Sequence, residues 1–207
     1  MSEDAGRRAF HRPVYRPAES LESVVGGIDP LEQVEAAHRT AEIVVGRGRD
    51  TDDPELTARL VGLVRELGLA TVAEMWSDRP ARTLPGALWR LYLLHEWVQR
   101  RPDEVRRLWT AGEGRAEVYR VIVGVAEPPD PMALAAMTGE VLTGVFSGDL
   151  AVALERAAAF CHVMAVGLVE PGVDDIPPEQ VTRAARMRDT ADDLTACARL
   201  WRLDALH

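Results

Sequence analysis

The sequence contains no lysine and no asparagine, so all 24 of its basic residues are arginine. Lys and Asn codons are AT-rich, and Ala, Val and Leu are plentiful here. The bias is therefore what a very GC-rich genome produces, and it carries no mechanism. Positive charge is scarce as well: 33 acidic residues leave a net charge of −9. A general nucleic-acid binder gains most of its affinity by neutralising phosphates, so this balance argues against one, and equally against attraction to an anionic membrane. Cysteine is limited to Cys161 and Cys197, with no CxxC pair. That excludes a disulfide scaffold and fits reduced thiols in a cytoplasmic protein. The longest uncharged stretch, residues 157–169, falls short of the roughly 20 residues that span a bilayer. The N-terminus has arginines but no apolar run, so it does not read as a secretory signal. There is no glycine-rich phosphate loop, no G-x-S-x-G elbow and no zinc signature.

What is present is dominated by TLPGALWRLYLLHEWVQRR, residues 83–101. Thr83 can cap a helix with its hydroxyl, and Pro85 fits the first turn, where its missing N–H is not needed. At 3.6 residues per turn Leu84, Leu88, Leu91, Leu94 and Val98 share one broad stripe, with His95 in its middle. Trp89, Leu93 and Trp97 make a second apolar row, with Tyr92 beside it. A helix apolar nearly all round is a core helix. Residues 150–169 form the second: Leu150, Leu154, Ala157, Cys161, Ala165 and Leu168 share a face, and no Asp, Glu, Arg or Lys falls between Arg156 and Glu170.

Around these two the punctuation of the chain sets out an all-α fold of about seven or eight helices. Residues 1–28 lack periodicity and read as a disordered arm, in which Arg7, Arg8, Arg12 and Arg16 interleave with Phe10, His11 and Tyr15. Asp29-Pro30 opens a helix with Leu31, Val34, His38, Ala41 and Val45 inward. Asp53-Pro54 opens another, with Leu56, Leu60, Leu63, Val64 and Leu67 inward, and a short helix covers 71–76. Pro102 starts one segment and Glu113–Glu127 reads as a separate helix whose β-branched residues leave a strand open. Asp130-Pro131 starts a helix running to Phe146. The helical core domain is thus 29–169, 170–178 is a linker, and 179–207 is a separate C-terminal amphipathic helix. Its Ala184, Met187, Ala191, Leu194, Ala198 and Trp201 form a narrow seam with charged flanks. The seam either docks back on the body or serves as an association surface, with Met187, Ala191, Leu194, Ala198 and Trp201 as its contacts.

Candidate chemistry is thin. Glu35-x-x-His38, with Glu42 one turn on, matches half of a di-iron helical element, but no second element supplies the remaining ligands. Cys161 has only His162 beside it, and adjacent helical residues point about 100° apart. No catalytic residue, cofactor or metal is expected. The approach to the 83–101 helix is the strongest candidate surface. Arg79 and Arg82 precede a helix N-terminus, where an anion or a partner could dock, with Trp76, Trp89, Arg90 and Tyr92 around it. The plainer reading is that the arginines pair with Asp78, Glu74 or Glu96. The order of helices 56–67, 71–76 and 83–98 also resembles a helix-turn-helix, although Leu84, Pro85, Gly86, Ala87 and Leu88 have little with which to read bases. A third reading is a small-ligand sensor with an apolar pocket between the core helices and His95 as its polar group.

The run AEMWSDRPARTLPGALWRLYLLHEWVQRRPDEV resembles a family of uncharacterised helical proteins from high-GC actinobacteria, and SGDLAVALERAAAFCHV is similar to the same family. The resemblance covers roughly residues 14–168. Some members carry an RNA polymerase beta-subunit label, yet nothing here resembles polymerase catalytic or clamp motifs. The family implies an all-helical fold and a cytoplasmic setting, with no activity or catalytic residues to carry over. The sequence therefore predicts a non-enzymatic interaction module that binds a protein partner or a second copy of itself.

Overall fold

A computed structural model describes residues 29–46, 62, 68–123, 128–169 and 176–207, with backbone alone for 116–123. These residues form seven α-helices and no strand. They are α1 Pro30–Val44, α2 Leu69–Trp76, α3 Leu84–Arg100, α4 Pro102–Val123, α5 Pro131–Leu142, α6 Leu150–Leu168 and α7 Pro178–Arg202. The arm 1–28, the helix expected after Asp53-Pro54 and most of the 170–178 linker lie outside the described residues.

The starts follow side-chain chemistry. Asp29, Asp130 and Asp149 each accept a hydrogen bond from the first turn of the helix they precede, at 2.8–2.9 Å. Thr83 does the same for Gly86 of α3. Each removes one of the four N–H groups that a helix start leaves unbonded. Helix α3 stops at Arg100 because Pro102 disfavours helical backbone at Arg101, whose φ is −134°. Helix α5 ends earlier than the expected Phe146, at Leu142, where Gly144 turns the chain with φ +73°.

Two expectations change. Helix α1 buries Ala37, Ala41, Ile43 and Val44, while Leu31 and Val34 are exposed. The Trp76 indole N–H donates to Thr40 at 3.1 Å, and this tie to α2 sets the rotation of α1. The separate segments expected around Pro102 and Glu113 are one continuous 22-residue helix, helical through Val123.

The reason for α4's continuity lies in its crossing with α6. A Cβ on Gly112 would sit 2.1 Å from the Val163 carbonyl oxygen, and one on Gly167 would sit 2.0 Å from that of Leu108. The two backbones therefore touch, and a glycine that would weaken an isolated helix is required here. Helix α7 lies along the other side of α6, and this is the most extensive helix pair in the fold. Helix α3 packs instead on α5, with α1 and α2 beside it. The two core helices share little direct contact, and α5 and α7 bridge them.

Gly112→Ala should cost about 3 kcal/mol, because the helices must separate to admit the methyl group. Gly114, two residues on, has open space around its Cα. Gly114→Ala should instead stabilise by up to about 1 kcal/mol through helix propensity. Urea unfolding midpoints of the two variants should move in opposite directions.

Candidate functional site

The approach to α3 is built differently from the expected anion site. Trp76 is fully buried and forms no open wall. Leu84 N–H donates to the His207 main-chain oxygen at 2.8 Å, and Leu206 beside it is buried. Gly86 N–H goes to the Thr83 hydroxyl, Ala87 N–H to the Thr83 carbonyl, and Pro85 has none to give. This helix start has no N–H left for an anion.

Arg82 and Arg90 are likewise engaged, though not with the neighbours the sequence offered. Arg82 and Arg90 both bond Asp193 of α7, each at 3.1 Å. Arg90 also donates to the Gly86 carbonyl. Arg79 is half-buried, and its Nε is buried without an acceptor. Asp193 lies more than a hundred positions away in sequence, so no local pattern could have identified it.

The first turns of α3 carry Leu84, Pro85, Gly86, Ala87 and Leu88, all buried. A recognition helix must present that end to a groove, and this one is closed inside the fold. His95 is also engaged. Its Nδ1 lies 3.1 Å from both the Ala135 carbonyl and the Thr138 hydroxyl, linking α3 to α5. Thr138 is fully buried, and its hydroxyl donates to the Leu134 carbonyl at 2.8 Å. The ring leaves little room at Gly139, where a Cβ would meet its Cε1 at 3.2 Å. His95 thus acts as a structural bridge between helices.

What α3 does present outward is its second row. Trp89 and Trp97 are half-buried, and Leu93 between them is 46% exposed. Trp89 stacks on Tyr92 at 5.5 Å between centroids. Tyr92 is nearly buried, and desolvation, followed by the nearby Glu96 charge, pushes its phenol above the ordinary value. At the far end Arg183 of α7 lies over the Trp97 ring at 5.2 Å and pairs with Glu104. Trp97 was expected only as part of an apolar row, and no local spacing pairs it or Glu104 with Arg183, because this contact joins three helices.

The C-terminal seam is occupied within the chain. Ala191, Leu194 and Ala198 are fully buried, and Met187 and Trp201 pack partly buried against the core. At the other end of α7, Arg202 makes two bonds to Glu155 of α6, one of 2.8 Å. So α7, set off along the chain by the linker, is joined to the body in space. A second copy could use this seam only by displacing α7 from α6.

Both thiols are buried, and desolvation pushes Cys161 up to about 12 and Cys197 up to about 11. They stay protonated at neutral pH and are poor nucleophiles. Among the described residues no group of three or more His, Cys, Asp or Glu could hold a metal. Helix α6 is long and apolar enough to cross a membrane, and most of it is buried inside this fold. Comparison with protein-family models, with curated proteins and with solved structures finds no match.

His95→Leu should cost about 1–2 kcal/mol, the net loss of one inter-helix hydrogen bond, read from urea midpoints. The α7 ion pairs predict a pH effect. The Arg202 hydrogen bond holds Glu155 below the ordinary carboxylate value. For Glu104 burial pushes upward, but the hydrogen bond and charge of Arg183 outweigh it and the net shift is downward. Both carboxylates bind protons less tightly folded than unfolded. Their contribution is complete above the ordinary value of 4.5 and is lost as pH falls through the lowered values. Stability should therefore fall on acidification below that point. A Glu104→Gln/Glu155→Gln double variant should fall less steeply in the same series of urea melts.

Proposed function

We propose that this protein is a non-enzymatic helical interaction module of the cytoplasm that docks a protein partner on the outer row of α3. The observation that carries the reading is Leu93, 46% exposed between Trp89 and Trp97 on a helix whose opposite side is core. An apolar row on a rigid helix, flanked by charged side chains, is the composition of a protein-binding hot spot, where Trp, Tyr and Arg are enriched. Arg90, Arg183 and Glu104 are held in place by ion pairs within the chain. They form a rim whose side chains lose little freedom on docking. Two buried thiols without a disulfide are compatible with a reducing compartment. The occupant is a different protein or a second copy of this chain.

A helix-turn-helix regulator is less well supported, since the base-reading end of α3 is buried. A sensor built on His95 is less well supported because its Nδ1 is engaged by α5.

Leu93→Glu should leave stability within about 0.5 kcal/mol, as an exposed substitution does. It should also reduce retention of the partner at least tenfold, measured by affinity capture from source cells beside light scattering of the pure protein. If the captured proteins and the solution mass are both the same for wild type and variant, this reading fails.

A further inference from the structure

A second surface lies away from α3, where α4, α5 and α6 meet. It is an open cleft of about 590 Å³ lined by Trp109 and Glu113 of α4, Pro128, Pro129 and Asp130 before α5, Ala133, and Val152 and Arg156 of α6. The volume lies within the range of small-molecule sites. Its floor is rigid: Trp109 is nearly buried and stacks on the fully buried Phe160 at 5.4 Å and 16°. The prolines are buried as well, and they fix the backbone of that wall. Val152 is exposed at the edge, so apolar surface there is open to solvent.

The cleft also carries charge. Some charged groups of α6 and α7 are paired, as in Glu155–Arg202 and in Asp193 with Arg82 and Arg90. Arg156 is half-buried and, among the described residues, has no carboxylate within ion-pair distance. Glu113, on the same cleft, is an exposed side chain that pairs with no arginine among the described residues. Asp130 is already engaged, capping α5 through Ala133 N–H. One guanidinium and one carboxylate, each without an ion pair among the described residues, thus face a shared apolar floor without bonding each other.

We propose that this cleft binds a free apolar α-amino acid, its carboxylate on Arg156, its ammonium toward Glu113 and its side chain against Trp109. A zwitterion answers both charges at once. A simple carboxylate would bring its charge close to Glu113 and Asp130, and a simple amine would leave Arg156 unanswered. Arginine suits the carboxylate because its planar fork can bond both oxygens. The site stands on α4 and α6 and does not depend on the reading of α3.

The test is isothermal titration calorimetry on the full chain with three probes that share one ring: L-phenylalanine, phenylacetate and phenethylamine. L-Phenylalanine should bind saturably, and the other two at least about tenfold more weakly, since each forfeits one charge-assisted bond. Arg156→Gln should weaken L-phenylalanine at least about tenfold with an unchanged thermal midpoint. Glu113→Gln should weaken L-phenylalanine and leave phenylacetate no weaker. The proposal is overturned if L-phenylalanine gives no saturable heat, if phenylacetate binds as tightly as L-phenylalanine, or if both variants bind like wild type. Should Arg156→Gln fail to fold, Glu113→Gln, a change at an exposed side chain, decides the matter alone.

Discussion

Everything in this fold depends on burying α6. Fourteen of its nineteen residues are buried, on nearly every side of the helix. One of its neighbours, α4, comes unusually close. At the α4 crossing both helices give up their side chains, Gly112 on one and Gly167 on the other, and backbone meets backbone. The buried residues of α7 are Ala184, Ala191, Cys197 and Ala198, with Leu194 as the one large side chain among them. Close approach replaces bulk, because many short-range dispersion contacts form where large side chains would hold the helices apart.

Helix α7 shows how apolar contact and charge divide the work. Its buried seam is made mostly of small residues, and small residues alone fix register poorly. Three groups of ions sit along its length: Arg183 with Glu104, Asp193 with Arg82 and Arg90, and Arg202 with Glu155. Several of these side chains are well exposed; the Arg82 side chain is 62% accessible. Each exposed pair is therefore worth little as stability. Their spacing matters more, because sliding α7 by one turn would break all three. The same helix joins α3 to α6, which otherwise barely meet.

Much of this was legible in the sequence, for local reasons. Asp29-Pro30, Thr83 with Pro85, and Asp130-Pro131 act through hydroxyls, carboxylates and a missing N–H within three residues, so the helix starts can be read directly. The apolar character of α3 and α6 followed from spacing in the same way. The misses are non-local. The Pro102 and Glu113 segments read as separate, and the need for Gly112 inside one continuous helix comes from the Val163 carbonyl on another helix. Leu31 and Val34 fit a helical stripe, but Trp76 holds α1 in a different rotation through Thr40. The plainer reading of Arg82 paired it with Asp78, Glu74 or Glu96, whereas Asp193 sits between Arg82 and Arg90. His95 was readable as a packed, hydrogen-bonded histidine, but not its partners Ala135 and Thr138. Trp97 was readable as part of an apolar row, but not its cation partner Arg183, more than eighty positions on.

The bond from Leu84 N–H to the His207 oxygen has a consequence for how the molecule is made. Synthesis runs from the N-terminus, so α3 leaves the ribosome long before residues 178–207 exist. Until then its first turn lacks the oxygen that satisfies Leu84, and Arg82 and Arg90 lack Asp193. One flank of α6 is meanwhile open to water. Helices α1 to α6 can form locally in the meantime, but their final arrangement waits for residues 178–207. Through that interval the nascent chain exposes a flank of a long apolar helix, the condition in which partly made proteins aggregate or are held by chaperones.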